Sequence, residues 1–220
     1  MVKVYSVHSP AQAALRLAVR ELTIGGCAFP EVIAADEHLI AETWIDGEPA
    51  ESLSGEARAA ALAAVDRFLA ARTSEPSLLD LAARHADAFC YIEHYLFARL
   101  GPWQHWDPVR SFIADWHAAR ERLAAPLPAY LSHPDVSGSN LLRERSSGRL
   151  LIIDNELLGV GPGWILDGRN AWQGGTRPLP AADGVPVSFI EMTWRLRLLG
   201  SALDAGNFRL AAAIASGTQG

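Results

Sequence analysis

The stretch that decides the fold is His133-Pro134-Asp135-Val136-Ser137-Gly138-Ser139-Asn140, continued by Leu141-Leu142-Arg143, Ser146-Ser147-Gly148 and Leu150-Leu151-Ile152-Ile153-Asp154. Two short apolar runs around Ser/Gly turn residues read as a β-hairpin. The loop ahead of it carries Asp135 and Asn140 five residues apart, and Asp154 stands just after the second strand. Polar groups on loops held by a rigid hairpin are where reacting side chains tend to sit. Asp and Asn are also ordinary turn residues, so it is their spacing that carries information. His133 is expected to be a buried, hydrogen-bonded side chain with a structural role.

Upstream, Val2 to Val7 alternates and is β-branched, which predicts a strand with Lys3, Tyr5 and Val7 on one face. Ser9-Pro10 is a helix start, and the helix is expected from Ala11 to Thr23, stopped by Gly25-Gly26. Strands are predicted over Glu31 to Ala35 and His38 to Ile45, with Gly47-Glu48-Pro49 as a linker. Helical spacing follows over Glu51 to Arg72, Leu78 to Leu100, Pro108 to Ala125, Ser188 to Leu203 and Phe208 to Ala215. Ala129-Tyr130-Leu131 reads as a short strand. The expected architecture is α+β. A partial small lobe of strands and one helix spans residues 1–47, and a mainly helical lobe carrying the hairpin spans residues 48–220.

Composition narrows the function. Half of the 220 residues are hydrophobic and a fifth are charged, a globular balance. Nineteen basic against 25 acidic residues give a net charge of −6, which argues against nucleic acid as a partner held by overall charge. Cys27 and Cys90 are too few for a disulfide framework and wrongly spaced for zinc. No apolar run reaches the roughly 20 residues of a membrane span, and Met1 is not followed by a signal-peptide core. A soluble, cytoplasmic protein without a membrane partner is expected. Lys3 is the single lysine beside 18 arginines. A lysine kept in such a background points to a need for a compact ammonium on a flexible stem.

The spacing His133-x-Asp135-x-x-x-x-Asn140 is that of the kinase catalytic loop, and Asp154 fits the metal-binding position that follows it. On these residues the chain resembles the aminoglycoside phosphotransferase and choline-kinase-like family, which has the protein-kinase-like fold. The family's loop reads like His-Gly-Asp-x-x-x-x-Asn-Leu-Leu, against His133-Pro134-Asp135 and Asn140-Leu141-Leu142 here. Its second motif reads like Ile-Asp-Trp-Glu, against Ile153-Asp154-Asn155-Glu156, and a further Asp matches Asp167 after Gly161-Pro162-Gly163. The resemblance runs from Lys3 to about Trp172.

It implies an ATP- and Mg²⁺-dependent phosphotransferase acting on a hydroxyl of a small-molecule acceptor. Asp135 would be the catalytic base, and Asn140 with Asp154 the Mg²⁺ ligands. Lys3 would meet the nucleotide's phosphates and pair with Glu21. The segment Leu39 to Ile45, with Glu42 and Trp44, would be the strand and hinge that bind adenine. The family also has two strands and a glycine-rich loop ahead of this lysine, whereas only Met1 and Val2 precede Lys3. The expectation is an N-terminally truncated chain whose phosphate-covering loop comes from a missing segment or a partner chain. The alternative is a kinase-like protein without turnover, serving as a binding or partner subunit. Trp103 and Trp106 either stack on an acceptor ring or cover the core, and Asp183 and Glu191 either line the acceptor pocket or are solvated. Antibiotic, choline, homoserine, sugar and biosynthetic-intermediate acceptors all stay open.

Overall fold

The chain begins with an exposed strand, β1 (Val2–Ser6), and a capped helix, α1 (Pro10–Val19). Ser9 Oγ accepts the Gln12 amide at 3.3 Å, and Pro10 supplies a preset φ at the first helical position. A computed structural model describes residues 1–88, 97–123, 129–133, 136, 138–161 and 185–217. In chain order the remaining elements are β2 (Thr23–Ile24), β3 (Cys27–Ala28), β4 (Val32–Ala35), β5 (Leu39–Thr43), β6 (Gly47–Pro49), α2 (Gly55–Ser74) and α3 (Pro76–Arg84). They continue with α4 (Asp107–Glu121), β7 (Tyr130–Ser132), β8 (Leu141–Glu144), β9 (Leu150–Ile152), β10 (Gly159–Gly161), α5 (Val187–Asp204) and α6 (Phe208–Ser216). The fold is α+β.

Two units emerge, Met1–Cys90 with Pro128–Pro180, and Tyr91–Leu127 with Ala181–Gly220. Both are discontinuous in sequence, and the junction expected after residue 47 falls inside the first.

In the first unit β1 and β4 flank β5, both antiparallel to it, with Lys3 opposite Glu42 and Tyr5 opposite Ile40. A second sheet has the order β2-β3-β9-β8-β6. Its centre is the expected hairpin, β8 against β9, with Leu141 opposite Ile152. Two of its strands replace features read differently from sequence. Gly25 (φ 62) and Gly26 (φ 94) are not the stop of α1, which ends at Val19; they are the tight turn joining β2 to β3. Two successive left-handed residues match the twist of a two-residue hairpin, and glycine adopts them without a Cβ penalty. Gly47-Glu48-Pro49 is not a linker but an edge strand on β8, where its proline needs no donor on the outer side. β3 runs parallel to β9, so the early hairpin and the late one share a sheet.

Apolar side chains of both regions form one core, which includes Leu15, Ile24, Phe68, Leu131, Leu141 and Ile152. Helix α2 comes close to the β2–β3 turn: a Cβ on Gly25 would lie 2.2 Å from the Phe68 nitrogen, and Arg67 Nε donates to the Gly25 carbonyl at 2.9 Å.

The second unit packs α4, α5 and α6 together. Trp116 is buried at its centre; its Nε1 donates to Thr193 Oγ1 at 2.9 Å, and its ring meets Phe97 edge-on at 5.1 Å. Trp103 and Trp106 stand edge-on to the half-exposed Phe208 at 5.3 and 6.2 Å. Glu191 is exposed on α5, while Asp183 lies outside the described residues.

The β2–β3 turn makes a clear stability contrast. Gly148 also has a positive φ (71), but no atom lies within 4 Å of where its Cβ would be. Gly148→Ala should cost only the conformational term, about 1–2 kcal/mol. Gly25→Ala adds a backbone clash with α2 and should cost at least about 3 kcal/mol. Urea denaturation of both variants measures the difference.

Candidate functional site

The hairpin register places the polar residues. With Leu141 opposite Ile152, the Ile153 amide donates to the Asn140 carbonyl at 2.9 Å, so Asn140 and Asp154 end on neighbouring strands at one end of β8–β9. The loop before β8 is held by close backbone approach. The Glu51 amide donates to the Gly138 carbonyl at 3.1 Å, and a Cβ on Gly138 would lie 2.9 Å from that of Glu51. Asp135, the expected catalytic base, lies outside the described residues, as does Asp167. The flanking His133 and Val136 are both buried, with the Val136 amide donating to the His133 carbonyl at 3.2 Å.

Asp154 has φ 58 and ψ 50, the one non-glycine residue among those described with a positive φ. Asp visits this region more readily than most side chains, yet it needs surrounding structure to hold it there. The residue that follows supplies this. Asn155 is buried, and its Nδ2 donates to the Ile152 carbonyl at 3.2 Å and to the Glu42 carboxylate at 3.3 and 3.4 Å.

Lys3 reaches this turn from β1. Its Nζ donates to Asp154 Oδ1 in a very close pair and lies 3.5 Å from Glu156 Oε2. Partial burial works against the charged ammonium, but its hydrogen bond to Asp154 and the charges of Glu156 and Asp154 outweigh it, so its pKa is held above the ordinary lysine value. The expected pairing with Glu21 does not form. Glu21 lies just beyond the end of α1 with its side chain 83% exposed, and its nearest ionic partner is Arg20 at 3.4 Å. The physical reason is that α1 presents an arginine, not a carboxylate, to the sheet.

That arginine is Arg16, almost wholly buried, and it pairs with Glu42 through Nε. Arg16 Nη2 donates to the Pro30 carbonyl at 2.6 Å, and the Tyr5 hydroxyl donates to Glu42 Oε1 at 2.6 Å. Burial and the Glu42 charge push the Tyr5 phenol far above its ordinary pKa, so it stays a donor. The Glu42 carboxylate is therefore committed to an internal network. The hinge segment also uses two of its amides internally. The amides of Thr43 and Trp44 donate to the carbonyls of Glu31 (2.9 Å) and Met1 (3.1 Å), which removes them as donors to a base. What Trp44 offers is its half-exposed indole.

A cleft of about 500 Å³ opens between these groups. Trp44, Ile45, Leu142 and Ile153 give it apolar walls, and Lys3 and Asp154 a charged end. That end offers the carboxylate oxygens of Asp154, hard donors of the kind Mg²⁺ prefers. A cation, the Lys3 ammonium, already rests on one of them. Sequence reading missed Glu156, although it stands in the motif Ile153-Asp154-Asn155-Glu156. It also missed Arg16, for which no local signal exists, since its partner is 26 positions away.

No family model matches the chain, and no curated protein is similar to it in sequence. Solved structures are similar to it in fold. A thermostable mutant of the aminoglycoside phosphotransferase APH(4)-Ia, in ternary complex with ADP and hygromycin B, superposes with a TM-score of 0.58 at 16% identity, over 98% of this chain and 83% of that one. The GDP complex of wild-type aminoglycoside 2'-phosphotransferase-IIIa gives 0.53 at 11% identity, over 96% and 83%. The chain has the protein-kinase-like fold of the aminoglycoside phosphotransferases.

Within this fold His133 is fully buried, as expected, but neither ring nitrogen finds a partner of regular hydrogen-bond geometry. Burial pushes its pKa down to about 4, with partial relief from Asp154, Ile153 and Asn155 nearby. An unfolded imidazole takes a proton near pH 6.5, while the folded one stays neutral until about 4. The contribution is therefore complete above pH 6.5 and lost as pH falls from there toward 4. Relative to His133→Leu, the wild type should lose on the order of 3 kcal/mol more across that window. Denaturant titrations at a series of pH values would measure this.

Proposed function

We propose that the chain is an ATP- and Mg²⁺-dependent phosphotransferase that acts on a hydroxyl group of a small molecule. The observation that carries this reading is the meeting of Lys3 and Asp154 at one end of the cleft, beside the strand that follows Asn140. Asn140 and Asp154 are neighbours across the hairpin, and Lys3 is brought onto Asp154 from another sheet. Phosphoryl transfer is mainly positioning and charge neutralisation, and this set supplies both. Asn140 and Asp154 would hold Mg²⁺, which when bound neutralises charge on the phosphates. Lys3 would bind phosphate oxygens, and Trp44 with the apolar walls would take the base. Asp135 would orient the acceptor hydroxyl and receive its proton as that oxygen bonds to the γ-phosphorus and the bond to the bridging oxygen breaks, releasing ADP.

The relatives of the same fold support the ligand classes. One was solved with ADP and hygromycin B and another with GDP. An aminoglycoside-like acceptor, cationic and rich in hydroxyls, suits a chain of net charge −6. No described helix is long and apolar enough to cross a membrane.

Asp135→Asn should lower the transfer rate by about 10² or more with little change in nucleotide affinity. A coupled ADP-release assay against an acceptor panel, with calorimetry on the same samples, would show this. Asp154→Asn keeps a residue that tolerates the left-handed backbone but removes the charge. Its affinity for Mg·ATP should fall at least about tenfold with the fold retained. Equal affinity and equal metal dependence in a calorimetric titration would take Asp154 out of the metal site.

A further inference from the structure

The Lys3 ammonium lies on two carboxylates at once, Asp154 and Glu156. It is the only lysine of the chain, and its neighbours leave it one other role, a position 5.3 Å from the Tyr5 ring. The helix partner that would hold it away from Asp154 is missing, because α1 presents Arg16 and Arg16 is consumed by Glu42. Glu21 faces solvent. Lys3 therefore has no competing carboxylate among the described residues and falls onto the turn after β9.

We propose that Lys3 is a tethered stand-in for the divalent cation: it occupies the cation position between Asp154 and Glu156 until nucleotide phosphates draw it away. Glu156 is then a second carboxylate of that cation site. The charge balance sets the order of binding. Two carboxylates balance one ammonium with a single negative charge to spare, too little to hold a divalent ion next to the retained ammonium. Phosphates change this by giving Lys3 another anionic partner and by adding oxygen ligands for the metal. Metal without nucleotide should bind poorly, and metal with nucleotide should bind well. The ion pair is partly exposed, side chains 27% and 42% accessible for Lys3 and Asp154, so an incoming phosphate can compete for the ammonium. The role assigned to phosphate rests on the phosphotransferase reading, whereas the competition between Lys3 and the metal does not.

The test is a Mn²⁺ titration of the nucleotide-free full chain, followed by electron paramagnetic resonance of the free ion. Lys3→Met should bind Mn²⁺ at least about tenfold more tightly than wild type. Adding Glu156→Gln to Lys3→Met should abolish that gain. ADP should raise the Mn²⁺ affinity of wild type and change that of Lys3→Met far less. Unchanged or weaker Mn²⁺ binding by folded Lys3→Met would overturn the proposal. A second measurement needs no variant. With ¹⁵N-lysine labelling the chain gives a single side-chain ammonium resonance, and Mg²⁺ binding followed by calorimetry should shift it. A site saturated with Mg²⁺ while that resonance stays put would also overturn the exclusion. If ADP has no effect on either protein but Lys3→Met still gains Mn²⁺ affinity, the phosphotransferase reading fails and the exclusion stands.

Discussion

Arg16 and Glu42 leave water together, a guanidinium from α1 and a carboxylate from β5, with side chains 1% and 2% accessible. Such a pair adds little net stability over apolar residues, because desolvation offsets most of the attraction. Its effect is on arrangement. Once α1 carries the buried cation, the carboxylate must come from the sheet, and Glu42 also gathers Tyr5 from β1 and Asn155 from the turn after β9. Losing either partner would strand a buried charge at a cost of about 3–5 kcal/mol, so four separate pieces of chain are fixed against one another.

The site inherits its geometry from that network. Asn155 is held from both sides, and the residue before it, Asp154, is left with a left-handed backbone that few side chains accept. Asp154 is turned to where Lys3 can reach it. The same network occupies the helix position from which a carboxylate would otherwise draw Lys3 aside. The charged end of the cleft is thus a consequence of which charge α1 buries, not only of the loop motif.

Much of this was legible along the chain. The hairpin was readable because two apolar runs and a Ser/Gly turn are local signals, and its register follows from them; most helices beyond residue 50 were readable from their spacing, but the one expected over Leu78 to Leu100 breaks after Arg84, where His85 leaves the helical conformation. Lys3 on an alternating strand was readable for the same reason. Gly25-Gly26 was ambiguous, since a glycine pair stops a helix and turns a hairpin equally well. What separated the two was the close approach of α2 to the turn, a tertiary fact. The edge strand Gly47–Pro49 was hidden because three residues without alternation become a strand only when β8 offers its edge.

The sequence by itself determined the candidate residues Lys3, Asn140 and Asp154 and the hairpin that brings the last two together, because these depend on short-range pattern and turn chemistry. Only the tertiary structure decided which charges meet. Lys3 lies 151 positions from Asp154, and Glu42 lies 113 from Asn155. A carboxylate's partner is chosen by burial and by which cation reaches it first in a low-dielectric interior, and neither quantity exists until the sheets and α1 have packed.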